Sequence, residues 1–229
     1  MTKAIEVNNL YKSFKLVKES VDVLKDLSFT IDKGEFVSIM GPSGCGKSTL
    51  LYLLGGLDNP SNGNIIVNGR DYSSIKEKER SKMRRRELGF VFQFYNLVPN
   101  LNVEDNILLP LLLDGKRPKT YEKELNKILD IIGMTDRKKH TPRELSGGQQ
   151  QRIAIARALL FNPEIILADE PIGNLDSKSG IEIMKLFKTI NCDLGKTIVQ
   201  VTHSMEAASY GSRVLNLKDG EIETDELSA

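Results

Sequence analysis

A chain of 229 residues with 40% hydrophobic and 28% charged side chains can bury one sizeable core and has the balance of an ordinary globular protein. Its 32 basic and 31 acidic side chains leave a net charge of +1, which gives no reason to expect nucleic acid or anionic lipid as the main partner. Two cysteines, Cys45 and Cys192, make neither a disulfide framework nor a zinc site, so a reducing compartment is expected.

From the N-terminus, Met1–Glu6 lack the apolar core of a signal peptide. Ala4 to Ile31 read as an antiparallel β edge, with Ile5, Val7, Val21, Val23, Phe29 and Ile31 at alternating positions. Phe36–Met40 is a short apolar strand that breaks into Gly41-Pro42-Ser43-Gly44-Cys45-Gly46-Lys47-Ser48-Thr49, followed by a helical run from Ser48 to Leu54. This is G-x-x-x-x-G-K-[ST] in its required setting, between a strand and a helix. Glycines there let successive backbone N–H groups face a phosphate, helped by the positive end of the helix. Lys47 adds a cation for the β- and γ-phosphates and Ser48 a hydroxyl ligand for Mg²⁺.

Arg80–Arg86, flanked by Glu77, Glu79 and Glu87, reads as a solvated helix face. Gly89–Phe92 is a second strand and runs into Gln93. Residues 94–144 read as a helical insertion. Its apolar stretch Ile107–Leu113 contains Pro110 and is far short of the roughly 20 residues that cross a bilayer.

Leu145–Arg152 opens another helix. Ser146 as N-cap with Gln149 three residues on makes a capping box, and the helix runs through Leu160. Capping does not explain Gly147 and Gly148, since each glycine in a helical turn costs about 1 kcal/mol relative to alanine. Close approach of a phosphate to the backbone would. Ile165–Ala168 is a third strand, ending in Asp169 and Glu170. Two adjacent carboxylates call for a nearby cation. Asp169 suits Mg²⁺, directly or through water, and Glu170 suits the general base or orienter of an attacking water. Thr197–Thr202, the fourth strand, ends at His203, a candidate donor to the γ-phosphate.

Strands alternating with helices argue for an α/β fold with a mostly parallel sheet. Ligands of such sheets bind beyond the carboxyl ends of the strands, so Lys47, Gln93, Asp169, Glu170 and His203 converge if the four strands are neighbours. The two glycine-bearing helix starts, after Gly46 and at Gly147–Gly148, make two anion cradles. One nucleotide needs one cradle, so the second suits a nucleotide held by another copy of the chain.

Along nearly its whole length the sequence resembles the ABC ATPase superfamily. Gly41–Thr49 is similar to the Walker A motif, Leu145–Gln149 to the ABC signature and Ile165–Glu170 to Walker B. Gln93 resembles the Q-loop glutamine, Gly173–Asp176 the D-loop and His203 the switch histidine. The resemblance implies a P-loop NTPase with a RecA-like core (1–93 and 145–229), an N-terminal antiparallel β subdomain and a helical subdomain (94–144), all in one domain. It implies an ATPase that dimerises around two ATP molecules, each held by one Walker A and the partner's Ser146, Gly147, Gly148 and Gln149. Asp176 then lies at the nucleotide, Phe14 stacks on adenine, Gln93 joins Ser48 and Asp169 at Mg²⁺, and Lys47, Gln93, Glu170 and His203 carry the catalysis.

Gly89–Gln93, Asn96-Leu97, Asn106–Leu111 and Pro171–Asp176 narrow the resemblance to the group of macrolide exporters (MacB), lipoprotein-release complexes (LolD), FtsE-like proteins and bacitracin-type peptide-resistance transporters. Ile172 replaces that group's usual threonine. The expected partner is a MacB- or FtsX-like permease on a separate chain, docked against residues 93–101, at the cytoplasmic face of a bacterial membrane. Soluble DNA-repair relatives insert coiled coils or zinc modules between the nucleotide motifs, where this chain has only residues 94–144. Translation-associated relatives carry two cassettes. A GTPase would need N-K-x-D, and Asn126-Lys127-Ile128-Leu129 lacks the aspartate.

Overall fold

The computed structural model describes residues 2–15 and 19–227. Its central element is a six-stranded sheet in which β3 (Phe36–Met40), β8 (Thr197–Val201), β7 (Ile165–Asp169) and β6 (Leu88–Val91) are successive parallel neighbours. β9 (Arg213–Lys218) adds parallel to the other side of β3, and β10 (Glu221–Leu227) closes that edge as an antiparallel hairpin. Every residue of β3, β7 and β8 is buried. Alternate side chains leave a strand on opposite faces, and both faces here are apolar. Ile165, Leu167, Val199 and Val201 enter one core, while Ile166, Ala168 and Ile198 enter the other.

The first core lies under a second, wholly antiparallel sheet of β2 (Ser20–Asp32), β1 (Lys3–Lys15), β4 (Asn62–Val67) and β5 (Arg70–Asp71), in that order. Helix α1 (Lys47–Leu54) is sandwiched with it, through Leu50, Leu51, Leu53 and Leu54. Ile5, Val7, Phe29 and Ile31 face this core as their alternation predicts, but Val21 is exposed. The β1–β2 ladder shifts register between Val7 and Lys12, with Asn9 and Asp26 in left-handed backbone bonded side chain to side chain. Such bulges bend and twist a strand pair.

The second core is covered by helices. α3 (Val103–Leu113) and α4 (Glu122–Ile131) come from residues 94–144, and α5 (Gly147–Leu159) and α6 (Ser177–Leu194) flank them. α6 starts at the Asp176 N-cap and stops at Gly195, whose left-handed conformation lets its N–H close on the Ile190 carbonyl. Its buried stripe, Ile183, Phe187 and Ile190, keeps a helical spacing. Removing a side chain such as Phe187 costs about 3–5 kcal/mol. Fully buried Asn106 in α3 bonds the backbone of Val98, Leu101 and Asn102, fixing the loop ahead of its own helix.

The arginine-rich segment forms α2 (Glu77–Arg86), which buries only Met83 and keeps its arginines on a solvent-facing surface where they find partners. Arg84 bonds the Gly56 carbonyl and Glu77, and both Arg85 and Arg86 reach Asp114 at the end of α3. Hydrogen bonds from Arg86 and then Arg85 hold the Asp114 carboxyl below the usual carboxylate range. No helix among the described residues is long and apolar enough to cross a membrane.

Candidate functional site

Because β3, β8, β7 and β6 are neighbours, their carboxyl ends place Lys47, His203, Asp169–Glu170 and Gln93 along one edge of the sheet. There a cleft of about 410 Å³ is lined by Val23, Ser43, Gly44, Gly46, Lys47, Ser48, Thr49 and Glu170. Gly41 is irreplaceable in the loop that bounds it. Its φ is +152°, and a Cβ would lie 2.0 Å from the Leu217 carbonyl oxygen. Lys47 closes the loop on itself, donating to the carbonyls of Gly41 at 2.7 Å and Pro42 at 2.9 Å.

Asp169 and Glu170 are held by different parts of the chain. Adjacent on the chain, they turn to opposite sides and find separate donors. Asp169 Oδ1 accepts from the Ser48 hydroxyl and Oδ2 from the Tyr52 hydroxyl, both at 2.9 Å. Burial, and then the bond to Asp169, push the Tyr52 phenol up to about 12, so it is a donor at neutral pH. Glu170 accepts from the Thr202 hydroxyl at 3.3 Å and pairs with His203 Nδ1 at 2.9 Å.

Glu170 also has a left-handed backbone, φ +44°, a strain of about 1–3 kcal/mol for a residue with a side chain. Its surroundings enforce it. The Glu170 N–H donates to the Val201 carbonyl, its carbonyl accepts from Gly173, and the next carbonyl, Pro171, accepts from the fully buried Gln151 amide at 2.7 Å. Gln151 belongs to α5, so the helix of the signature-like stretch grips the strand end that carries Glu170.

Gln93 is held by the loop that follows β7. Its amide donates to the Asn174 side chain at 3.2 Å, and Asn174 returns a bond to the Gln93 carbonyl. His203 is mostly exposed and is spent on Glu170. Phe14 sits on the β1–β2 hairpin opposite Val21, 41% exposed, with the Lys12 ammonium 4.8 Å from its ring centroid. Val23 of the same hairpin does reach the cleft.

Ser146 and Gln149 form the expected capping box at the start of α5. The glycines between them have a second reason to be there. A Cβ on Gly147 would meet the Tyr95 hydroxyl at 2.9 Å and Leu175 at 3.3 Å, and one on Gly148 would meet Ser179 at 3.1 Å. Packing within the chain leaves a Cβ little room at either position, since Tyr95 or Ser179 would have to shift to admit it. Asp176 is exposed and caps α6 through the Ser179 N–H, which holds its carboxyl low. A neighbouring cleft of about 200 Å³ joins Glu170, Gly173, Asp176 and His203.

Sequence reasoning missed Tyr52, Thr202, Asn174 and Gln151. Tyr52 left a readable signal, because it stands four residues after Ser48 and so on the same face of α1. A larger cleft, about 450 Å³, opens between α4 and the ends of α5 and α6 around Lys127, Ile128 and Leu194, and it holds none of the motif residues.

A loop of backbone donors at a helix start, beside a serine–aspartate pair and a glutamate–histidine pair, is a site built for a nucleotide phosphate chain. The sequence model described as "ABC transporter" matches residues 24–173. An uncharacterized ABC transporter ATP-binding protein of Methanocaldococcus jannaschii is 49% identical over 95% of this chain and 97% of its own length. The macrolide export ATP-binding/permease protein MacB of Bdellovibrio bacteriovorus is 47% identical over 97% of this chain, which spans 34% of that protein. A solved dimer of the M. jannaschii ATP-binding cassette MJ0796, in a post-hydrolysis state with ADP and Pi, matches with a TM-score of 0.89 and 43% identity, over 98% of this chain and 99% of that one. The chain belongs to the ABC transporter family, as an ATP-binding cassette that hydrolyses ATP.

Proposed function

We propose that two copies of this chain close around two ATP molecules and drive a separate membrane permease of the MacB or FtsX type. The observation that carries this reading is the meeting of the phosphate loop, Asp169, Glu170 and His203 at the ends of neighbouring parallel strands. Residues 41–49 of one copy and Ser146–Gln149 of the other would enclose each triphosphate, with Phe14 against adenine and Asp176 at the seam. The dimeric cassette with ADP and Pi supports this arrangement. Names such as macrolide export among the relatives support peptides, antibiotics or lipoproteins as the class of cargo and the cytoplasmic face of a bacterial membrane as the place of work.

The donor set fits Mg²⁺. Ser48 and Asp169 offer hard oxygens 2.9 Å apart, and no cluster of three or more His, Cys, Asp or Glu among the described residues suggests a protein-only metal cage. Mg²⁺ takes one or two protein oxygens and fills its octahedron with phosphate and water. Bound there, with Gln93 swung in as a further ligand, it would neutralise charge on the β- and γ-phosphates.

The chain's own groups then divide the work. Lys47 releases the Gly41 and Pro42 carbonyls and turns its ammonium to the phosphates. Glu170, held by its strained backbone, orients the attacking water and accepts its proton. His203 exchanges its bond with Glu170 for one to the γ-phosphate.

Glu170→Gln tests this. The amide keeps the shape and loses the base, so ATP binds, phosphate release falls by about 10²–10⁴-fold, and an ATP-loaded dimer accumulates on size exclusion. Phosphate release at the parent rate would refute the role given to Glu170.

A further inference from the structure

We infer that Tyr52 is a positioning residue for the metal-binding carboxylate: its hydroxyl pins Asp169 so that Oδ1 stays aimed at Ser48 and the divalent cation. This rests on the reading of Ser48 and Asp169 as the cation's protein ligands and extends it to a side chain that no sequence motif includes.

Asp169 is 9% exposed, and a carboxylate this buried is costly unless hydrogen bonds compensate it. The Lys47 ammonium is spent on two carbonyls, so the two hydroxyls of α1 make up the compensation, one on each oxygen. Their geometry comes from the helix. Ser48 and Tyr52 are four residues apart and project from one face of α1 towards the end of β7.

The two bonds have different fates when a cation binds. A cation shared by Ser48 and Asp169 Oδ1 must take over the lone pairs that the serine hydroxyl now uses. The Tyr52 bond to Oδ2 lies on the other oxygen and persists. That matters because the last torsion of an aspartate is broad and roughly two-fold, so nothing intrinsic to the side chain selects which oxygen faces the cation. Tyr52 supplies the selection. Outer partners of this kind are worth about 10–100-fold in metal affinity or activity.

Tyr52→Phe deletes one oxygen and keeps the partly buried ring. The probe is Mn²⁺, whose free concentration is read by electron paramagnetic resonance during titration of the full-length chain saturated with ADP. The expected result is an approximately tenfold weaker Mn²⁺ affinity, with the thermal midpoint and the metal-free ADP affinity close to parent. Mn²⁺ affinity within twofold of parent, or tighter, overturns the inference. Asp169→Asn, titrated alongside, separates the two levels. If it weakens Mn²⁺ while Tyr52→Phe does not, the inference fails and the metal reading stands. If Asp169→Asn leaves Mn²⁺ binding unchanged, both fail.

Discussion

Glu170 and Cys45 show what single residues contribute beyond their motifs. Glu170 would relax out of left-handed backbone if left alone, and the bonds from Gly173, Gln151, Thr202 and His203 hold it in place. A strained, over-determined acid is pre-set for one geometry, which suits a group that must aim a water. Cys45 is nearly buried inside the phosphate loop, and its sulfur would lie 2.8 Å from a Cβ built on Gly41. Alkylation by a small maleimide should therefore proceed in two phases. Exposed Cys192 reacts first, without effect on nucleotide. Cys45 follows slowly, its modification abolishes ATP binding by at least about tenfold, and MgATP protects it. Mass spectrometry of the labelled peptides, paired with nucleotide titration, checks both phases; unchanged affinity after confirmed labelling of Cys45 would refute this geometry. At this scale the loop, the two strand-end carboxylates and the histidine were legible, because each interrupts an apolar strand. Their present partners were not, since Gln93 with Asn174 and Glu170 with His203 are 81 and 33 residues apart and meet only through the fold.

Elements were legible in proportion to how uniform their surroundings are. Strands β3, β7 and β8 are buried on both faces, so their sequences are unbroken apolar runs. β4, β5 and β10 carry polar or exposed faces and left no comparable trace, so a four-stranded antiparallel sheet was read as a two-stranded edge. Pro110 stands inside α3, where a proline removes one backbone bond, and packing holds the helix regardless. In α2 the solvent-facing position was legible and the partners were not. Its arginines look like a solvated face by composition, yet two of them converge on a single aspartate at the far end of α3. Asp114 titrates below its unfolded range because Arg86 and Arg85 bond its ionised form. The folded pKa is the lower one, so the linkage stabilises the fold above the unfolded value of about 3.9 and is lost as pH falls through the folded value. Asp114→Asn should thus cost about 1 kcal/mol at neutral pH, since both arginines are more than a third exposed. The difference should shrink and disappear as the pH falls through the folded value. Denaturant midpoints of the two proteins, followed from pH 7 to pH 2.5, measure it; a gap independent of pH would mean that the ion pairs are silent.

At the scale of the whole molecule, the proposed permease would have to receive the chemistry of one edge of the sheet through a contact surface. Phe94, Tyr95, Leu97, Val98 and Leu101 were the apolar cluster expected to dock a permease helix. Phe94 is 73% exposed, but Leu97 packs into the second core. A groove of about 360 Å³ lies to one side of this cluster, walled by Phe90, Phe92, Pro110 and Phe161 with Arg84, Arg85 and Arg157 around it. Arg157 links the groove to the nucleotide edge. From α5 it bonds the carbonyls of Tyr95 and Asn96, the two left-handed residues just after Gln93. A helix pressed into the groove would lean on the same arginine that sets the course of the loop carrying Gln93. The apolar floor suits one face of an amphipathic helix, and the arginines around it, already paired within the chain, would meet that helix's polar flank. Pro110→Glu tests the surface without touching the nucleotide residues. It restores a helical N–H to α3, so the fold should hold, and it places a negative charge at the groove wall. The expected outcome is basal ATPase within about twofold of parent and at least about a tenfold loss of assembly with the permease, read by copurification from membranes. Full assembly and normal transport by Pro110→Glu would place the docking surface elsewhere on the chain.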